Sequence, residues 1–125
     1  MSKNINLKPT GFVQSCKGAC RGIAYSLQTE KHLRFHFFVA FIVTTLGLYV
    51  NLAREDWLFV IYAIGSVIVA ELFNTALERN IDLTQPTYHP IAGIAKDVAS
   101  GAVLITAIQA VIIGIIVFSP YLGFE

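Results

Sequence analysis

Three stretches of this sequence, 35–53, 57–80 and 97–118, are each close to the length that crosses a bilayer; the first carries no charge, the second none up to Ala70, and the third only Asp97. A spanning helix needs about 20 predominantly apolar residues. Inside hydrocarbon every backbone N–H and C=O must be bonded internally, so a run of this kind folds as a helix. The first stretch holds no Asp, Glu, Lys or Arg, and Trp57 opens the second in an interfacial position, where Trp is favoured. Only 14% of the 125 residues are charged and 55% are hydrophobic, whereas a soluble domain carries roughly 25% charged residues. The expectation is an all-α integral membrane protein of one domain, with an N-terminal amphipathic surface helix and three transmembrane helices in a bundle.

Residues 1–9 are polar and read as a flexible tail. From 10 to 29, Phe12, Cys16, Ala19, Ile23 and Leu27 recur at helical spacing, and Gln14, Lys17, Arg21 and Gln28 fall largely on the other side. That pattern predicts a helix lying on the membrane surface. Gly11, Gly18 and Gly22 weaken it in isolation, so it needs lipid or tertiary support. Cys16 and Cys20 share a face but form neither a disulfide framework nor a zinc set. A charged cluster, 30–36, precedes the first span. In it Arg34 is the i,i+4 ion-pair candidate for Glu30, and His32 and His36 are read as interfacial rather than as a zinc pair. Residues 51–56 form a polar turn, and 83–90 a loop marked by Pro86 and Pro90. Gly65, Ser66, Ala70, Ala99, Gly101 and Ala102 are small enough to line helix–helix contacts. No apolar core with a cleavage site occurs in the first thirty residues, so retention by the spans themselves is expected. Six of the nine basic residues precede the first span, and the positive-inside rule then places the N-terminus in the cytoplasm. A net charge of +1 offers nucleic acid no electrostatic footing.

The second stretch is longer than a membrane requires, and its end is polar. Glu71, Asn74, Glu78 and Asp82 stand three, four and four residues apart. Residues at these spacings lie over one another on a helix. A carboxylate at the membrane centre costs about 2.5–3.5 kcal/mol on insertion scales, so such groups face a bundle interior, a metal or a polar substrate. The topology brings Glu30, this stripe, His89, Lys96 and Asp97 to one membrane face, the cytoplasmic one. Carboxylates beside a lysine suit magnesium and a nucleotide phosphate. Glu71 lies deepest in the stripe and nearest an alcohol held in the bilayer, which is where a general base is needed. Neither a Walker sequence nor the glycine pattern of protein kinases is present.

Two motifs carry a resemblance. The run from Glu71 through Asn74, Thr75 and Ala76 to Glu78, followed by Asp82, resembles the E-x-x-N-(S/T)-A-(I/L)-E-x-x-x-D signature of the small prokaryotic diacylglycerol kinase family. The run from His89 and Pro90 through Lys96 and Asp97 to Val103 is similar to that family's second signature. The likeness extends from about Phe12 to Leu122. It implies a membrane lipid kinase that uses ATP and Mg2+ to phosphorylate a lipid hydroxyl. It further implies a homotrimer in the bacterial cytoplasmic (inner) membrane, with active sites shared between subunits. By position it makes Glu71 the general base and Glu30 and Glu78 metal ligands. Asn74, Asp82, His89, Lys96 and Asp97 would contact nucleotide or hold the site, and Gln14, Ser15 and Arg21 are further candidates on the N-terminal helix. His89-Pro90, Arg21-Gly22-Ile23 and Arg34-Phe35-His36 resemble the branch acting on undecaprenol, although His32 stands where that branch often has Asn. Diacylglycerol is the alternative substrate.

Two other classes of function are set against this reading. A small channel or ion-coupled carrier would let the stripe line a pore, and would conduct ions without ATP. It would also need ionisable groups at several depths, which the interiors of the first and third spans do not supply. A scaffold without chemistry would tolerate alanine at Glu71, Glu78 and Lys96.

Overall fold

The computed structural model describes residues 11–123, so the tail expected at 1–9 lies outside the described residues. The described chain is helical throughout: α1 spans Phe12–Thr29, α2 Lys31–Tyr49, α3 Arg54–Thr84 and α4 Pro90–Phe118, with a single 3₁₀ turn over Ser119–Leu122. Three of these helices, α2, α3 and α4 with its 3₁₀ extension, are long and apolar enough to cross a membrane. Most of the large apolar side chains on them are exposed, among them Phe38, Phe41, Ile61, Ile105 and Ile116. Outward-facing apolar surface of this kind suits lipid or further copies of the chain.

α3 is the central element and packs against both α2 and α4. Its inward row, Val60, Ala63, Val67, Glu71 and Thr75, repeats every three or four residues and is buried along its whole length. The row begins as hydrocarbon and ends as a carboxylate and a hydroxyl. At 31 residues α3 is about 46 Å long, against a hydrocarbon core of about 30 Å. The excess is enough to carry the polar end of α3 beyond an apolar layer of that thickness.

A tight turn joins α2 to α3. Asn51 adopts φ 55°, the left-handed conformation that Asn tolerates. The Leu52 N–H donates to the Gly47 carbonyl at 3.1 Å, and the Asn51 N–H to that of Leu48 at 3.4 Å. These two bonds satisfy the last carbonyls of α2 in a Schellman arrangement. A Cβ on Gly47 would lie 2.8 Å from Trp57 and 2.9 Å from Leu52, so glycine here permits the close approach of the turn. Tyr121 closes the same end of the bundle. Its hydroxyl donates to Asp56 at 2.6 Å and accepts from the Ala53 N–H at 2.9 Å, tying the end of α4 to the start of α3.

Several boundaries differ from the sequence expectation. α2 begins at Lys31 and absorbs most of the charged cluster, leaving Glu30 as the one extended residue between α1 and α2. α4 begins at Pro90, the last residue of the expected loop, whereas the third span is expected only from Asp97. The reason is local. Proline at the first helical position lacks only an N–H that would go unbonded there, and its φ suits the helix. The His89 side chain caps the same end, its Nδ1 accepting from the Ile91 N–H at 3.1 Å. Lys96 and Asp97 therefore stand inside α4 rather than at its mouth. Within one chain, the tightest glycine contact lies outside the small residues expected to line helix–helix contacts. A Cβ on Gly65 or Gly101 would meet nothing within 4 Å, and Gly47 makes the close approach instead.

Candidate functional site

Glu30, Glu71, Asn74, Glu78, Asp82 and Lys96 gather where the end of α3, the starts of α2 and α4 and the end of α1 meet. Glu71 is the innermost, only 5% exposed. Its carboxylate meets Nε2 of His36 on α2 at 3.3 Å. A buried carboxylate without a partner is costly, and His36 provides that partner. The Thr75 hydroxyl, also buried, donates to the Glu71 carbonyl at 3.0 Å and so bonds back along α3.

One turn further on, Asn74 Nδ2 donates to Glu78 Oε1 at 3.3 Å. The other amide atom, Asn74 Oδ1, is buried and has no hydrogen-bond partner among the described residues. An oxygen held out of water and left unbonded beside a carboxylate is a ready ligand for a hard cation. Beyond it, Lys96 Nζ lies 2.6 Å from Asp82 Oδ1. Asp82 stands near the C-terminal end of α3, where the helix dipole disfavours an anion, and Lys96 reaching across from α4 offsets that.

Glu30 is held from the same end of α3. Arg79 Nη2 lies 2.6 Å from Glu30 Oε1, and Arg79 Nε donates to the Tyr25 hydroxyl at 2.9 Å. The guanidinium also lies over the Tyr25 ring at 5.8 Å, so one arginine links α1, the α1–α2 joint and α3. Arg34, the expected partner of Glu30, does something else. Its Nη1 donates to the carbonyls of Leu27 and Gln28 at 2.8 and 3.1 Å, capping the C-terminal end of α1 with a positive charge. Glu30 is extended rather than helical, so the pair is not stacked on one helix face, and the Arg34 guanidinium bonds the bare carbonyls at the helix break.

The remaining candidates are placed less directly. His89 serves as the cap of α4, with its ring turned to the backbone. Asp97 and Arg21 are exposed and have no hydrogen bond or ion pair among the described residues. Gln14 and Ser15 lie on α1, also exposed. Four residues that the sequence reading did not assign to the site are joined to it by direct contact: His36, Arg79, Tyr25 and Thr75. Thr75 lies inside the motif and His36 inside the charged cluster, so both were within view. Arg79 and Tyr25 gave no signal beyond their positions near the interface.

Among the described residues no three His, Cys, Asp or Glu side chains converge as a metal cage. Magnesium does not need one, because it commonly takes one or two carboxylates with substrate phosphates. The oxygen donors at Glu78 and Asn74 fit that mode. An apolar groove of about 350 Å³ runs between α2, α3 and α4. Phe35 and His36 line one end of it, and Phe118 lines the other. The polar cluster thus adjoins the end of a hydrocarbon-lined passage along the spans.

Comparison with known proteins bears on the same residues. Residues 17–118 match the sequence profile described as prokaryotic diacylglycerol kinase. The chain is 39% identical over 111 residues to an undecaprenol kinase of Bacillus subtilis, covering 89% of this chain and 90% of that protein. It is 40% identical over 117 residues to a diacylglycerol kinase of Synechocystis, covering 91% of this chain and 66% of that one. A diacylglycerol kinase of Escherichia coli is 27% identical over 117 residues, covering 91% and 96%.

Proposed function

The chain belongs to the prokaryotic diacylglycerol kinase family and is a lipid kinase, and on that premise we propose that it transfers the γ-phosphate of ATP to the hydroxyl of undecaprenol. The observation that carries the choice of lipid is the end-to-end likeness to the Bacillus subtilis undecaprenol kinase. Diacylglycerol is the second reading, favoured by the similar identity to the Synechocystis protein.

In this reading Glu71 is the general base. The lipid hydroxyl gives its proton to the Glu71 carboxylate as its oxygen bonds to the γ-phosphorus. The bond from that phosphorus to the β,γ-bridging oxygen breaks, and ADP leaves with the electron pair. Such a transfer depends mainly on position and on neutralised charge. Glu71 suits the base role because the row leading to it on α3, Val60, Ala63 and Val67, is hydrocarbon, so it sits where an alcohol anchored in lipid can reach it. Magnesium bound with the nucleotide supplies charge neutralisation on the phosphates. Glu78, Asn74 and Glu30 are the oxygen donors proposed to hold it, and Glu30 would exchange Arg79 for the cation. Lys96 is proposed as a point charge on phosphate, with Asp82 steadying it, and Asp97, His89 and Arg21 as outer members of the nucleotide site.

The site is proposed to face the cytoplasm in the bacterial inner membrane. Lys17, Arg21, Lys31, Arg34, Arg79 and Lys96 all lie on its side of the spans, against Arg54 on the other, which is the bias of cytoplasmic segments. α1 is proposed to lie along that surface. A homotrimer is proposed as the working assembly, with each site completed by a neighbour, and the exposed apolar side chains of α3 such as Leu58, Ile61 and Phe73 are available for such contacts.

The test of the substrate is phosphate transfer from labelled MgATP in mixed micelles, with undecaprenol and diacylglycerol offered in parallel. Product on undecaprenol at a clearly higher kcat/KM supports the proposal. Product mainly on diacylglycerol transfers the assignment to the second reading.

A further inference from the structure

His36 is the residue outside the proposed machinery that stands closest to its centre. Its Nε2 atom is 3.3 Å from Glu71 Oε1, and the two side chains are 19% and 7% exposed. Among the described residues no other cationic side chain lies within ion-pair distance of the Glu71 carboxylate, and no side chain hydrogen-bonds to it. Its direction therefore depends on packing and on this one imidazole. His36 is itself constrained, with its ring meeting that of Phe35 edge-on at a centroid distance of 5.6 Å. It also lines the end of the apolar groove between α2, α3 and α4, one wall of which, Val67, lies one turn before Glu71 on α3.

We propose that His36 is a positioning residue for the phosphoryl transfer, holding the Glu71 carboxylate toward the end of the groove so that the hydroxyl of a lipid whose chain lies there meets the base. This rests on the reading of Glu71 as the base. The physical ground is that a carboxylate buried beside hydrocarbon has few ways to be satisfied, and whichever donor satisfies it also aims it. No proton passes through His36 in the step. Its Nε2 edge stays beside the Glu71 carboxylate before and after transfer. The groove places hydrocarbon on one side of the imidazole and the carboxylate on the other, so a long aliphatic alcohol would present its single polar end at this position.

The experiment uses the full chain in mixed micelles with saturating lipid alcohol and varied MgATP. His36→Phe keeps a planar ring and removes the donor, while His36→Gln keeps an N–H at a similar reach. The structure predicts that His36→Phe lowers kcat by about ten- to a hundredfold, with KM for MgATP within about twofold of wild type. His36→Gln is predicted to recover turnover to within about threefold of wild type. If His36→Phe fails to fold, as judged by Trp57 fluorescence, His36→Leu provides the same comparison. Wild-type kcat without the donor overturns the proposal. So does a Gln variant as impaired as the apolar one, or a loss confined to KM for MgATP. Glu71→Gln is run beside them to separate the two readings. An inactive Glu71→Gln with a fully active His36→Phe defeats only the role of His36. An active Glu71→Gln defeats the base assignment on which it rests.

Discussion

Replacing Gly47 with alanine adds one methyl group at the tightest point between α2 and the turn into α3. That Cβ would stand 2.8 Å from Cη2 and 3.1 Å from Cζ2 of Trp57, and 2.9 Å from Cδ1 of Leu52. Carbon atoms in favourable contact are about 3.5–4.0 Å apart, so the gap falls short by roughly an ångström. Leu52 can turn its side chain, but the indole is rigid, and the Leu52 backbone is bonded to the Gly47 carbonyl. Overpacking of this kind costs about 1–3 kcal/mol. Alanine in a helix recovers up to about 1 kcal/mol relative to glycine. A shortfall of roughly an ångström against a rigid ring puts the cost in the upper part of the overpacking range, about 2–3 kcal/mol, so the expected net effect is a loss of roughly 1–2 kcal/mol. Trp57 is the only tryptophan in the chain, so its fluorescence reads the affected contact directly during denaturant unfolding in detergent micelles. Gly93→Ala is the control, because its added methyl meets nothing within 4 Å. Its unfolding midpoint should hold or rise. The turn lies at the end of the bundle opposite the site, so kcat of folded Gly47→Ala should match wild type. A Gly47→Ala protein as stable as wild type, with unchanged Trp57 emission, would refute the packing argument.

Two further perturbations separate the two ends of the molecule. Tyr121→Phe removes both the donor to Asp56 and the acceptor for the Ala53 N–H, and should lower the same unfolding midpoint without changing kcat; an unmoved midpoint would mean that the tie contributes nothing. Lys96→Met should leave the fold intact and lower kcat/KM for MgATP by about a hundredfold, the scale of losing one electrostatic stabiliser of the transition state. Wild-type nucleotide kinetics in that variant would remove Lys96 from the phosphate site.

The spans were legible because the bilayer imposes a length and an apolar composition that few other structures share, and α2, α3 and α4 carry both. The stripe on α3 was legible because helical periodicity alone fixes which of Glu71, Asn74, Glu78 and Asp82 share a face. The start of α4 was misread for a specific reason. Pro90 reads as a loop marker, although proline one residue after a capping His89 is also a helix start. Contacts between helices were the least legible. Whether Glu30 pairs with Arg34 or with Arg79, and whether His36 meets Glu71, depends on how α2 is rotated against α3. No local spacing encodes that. Gly47 was missed for a related reason. Within an apolar run it looks no different from Gly65 or Gly101, and only the packed turn shows which glycine has a neighbour.

The central claim is that Glu71 removes the proton from a lipid hydroxyl during phosphate transfer, and Glu71→Gln tests it most directly. The variant keeps the size and the hydrogen-bonding capacity of the side chain while removing the base. Turnover on the preferred lipid alcohol should fall by about a hundred- to ten-thousandfold, the usual contribution of a general base, with MgATP binding retained. Turnover within a few-fold of wild type in a folded Glu71→Gln protein would contradict the account.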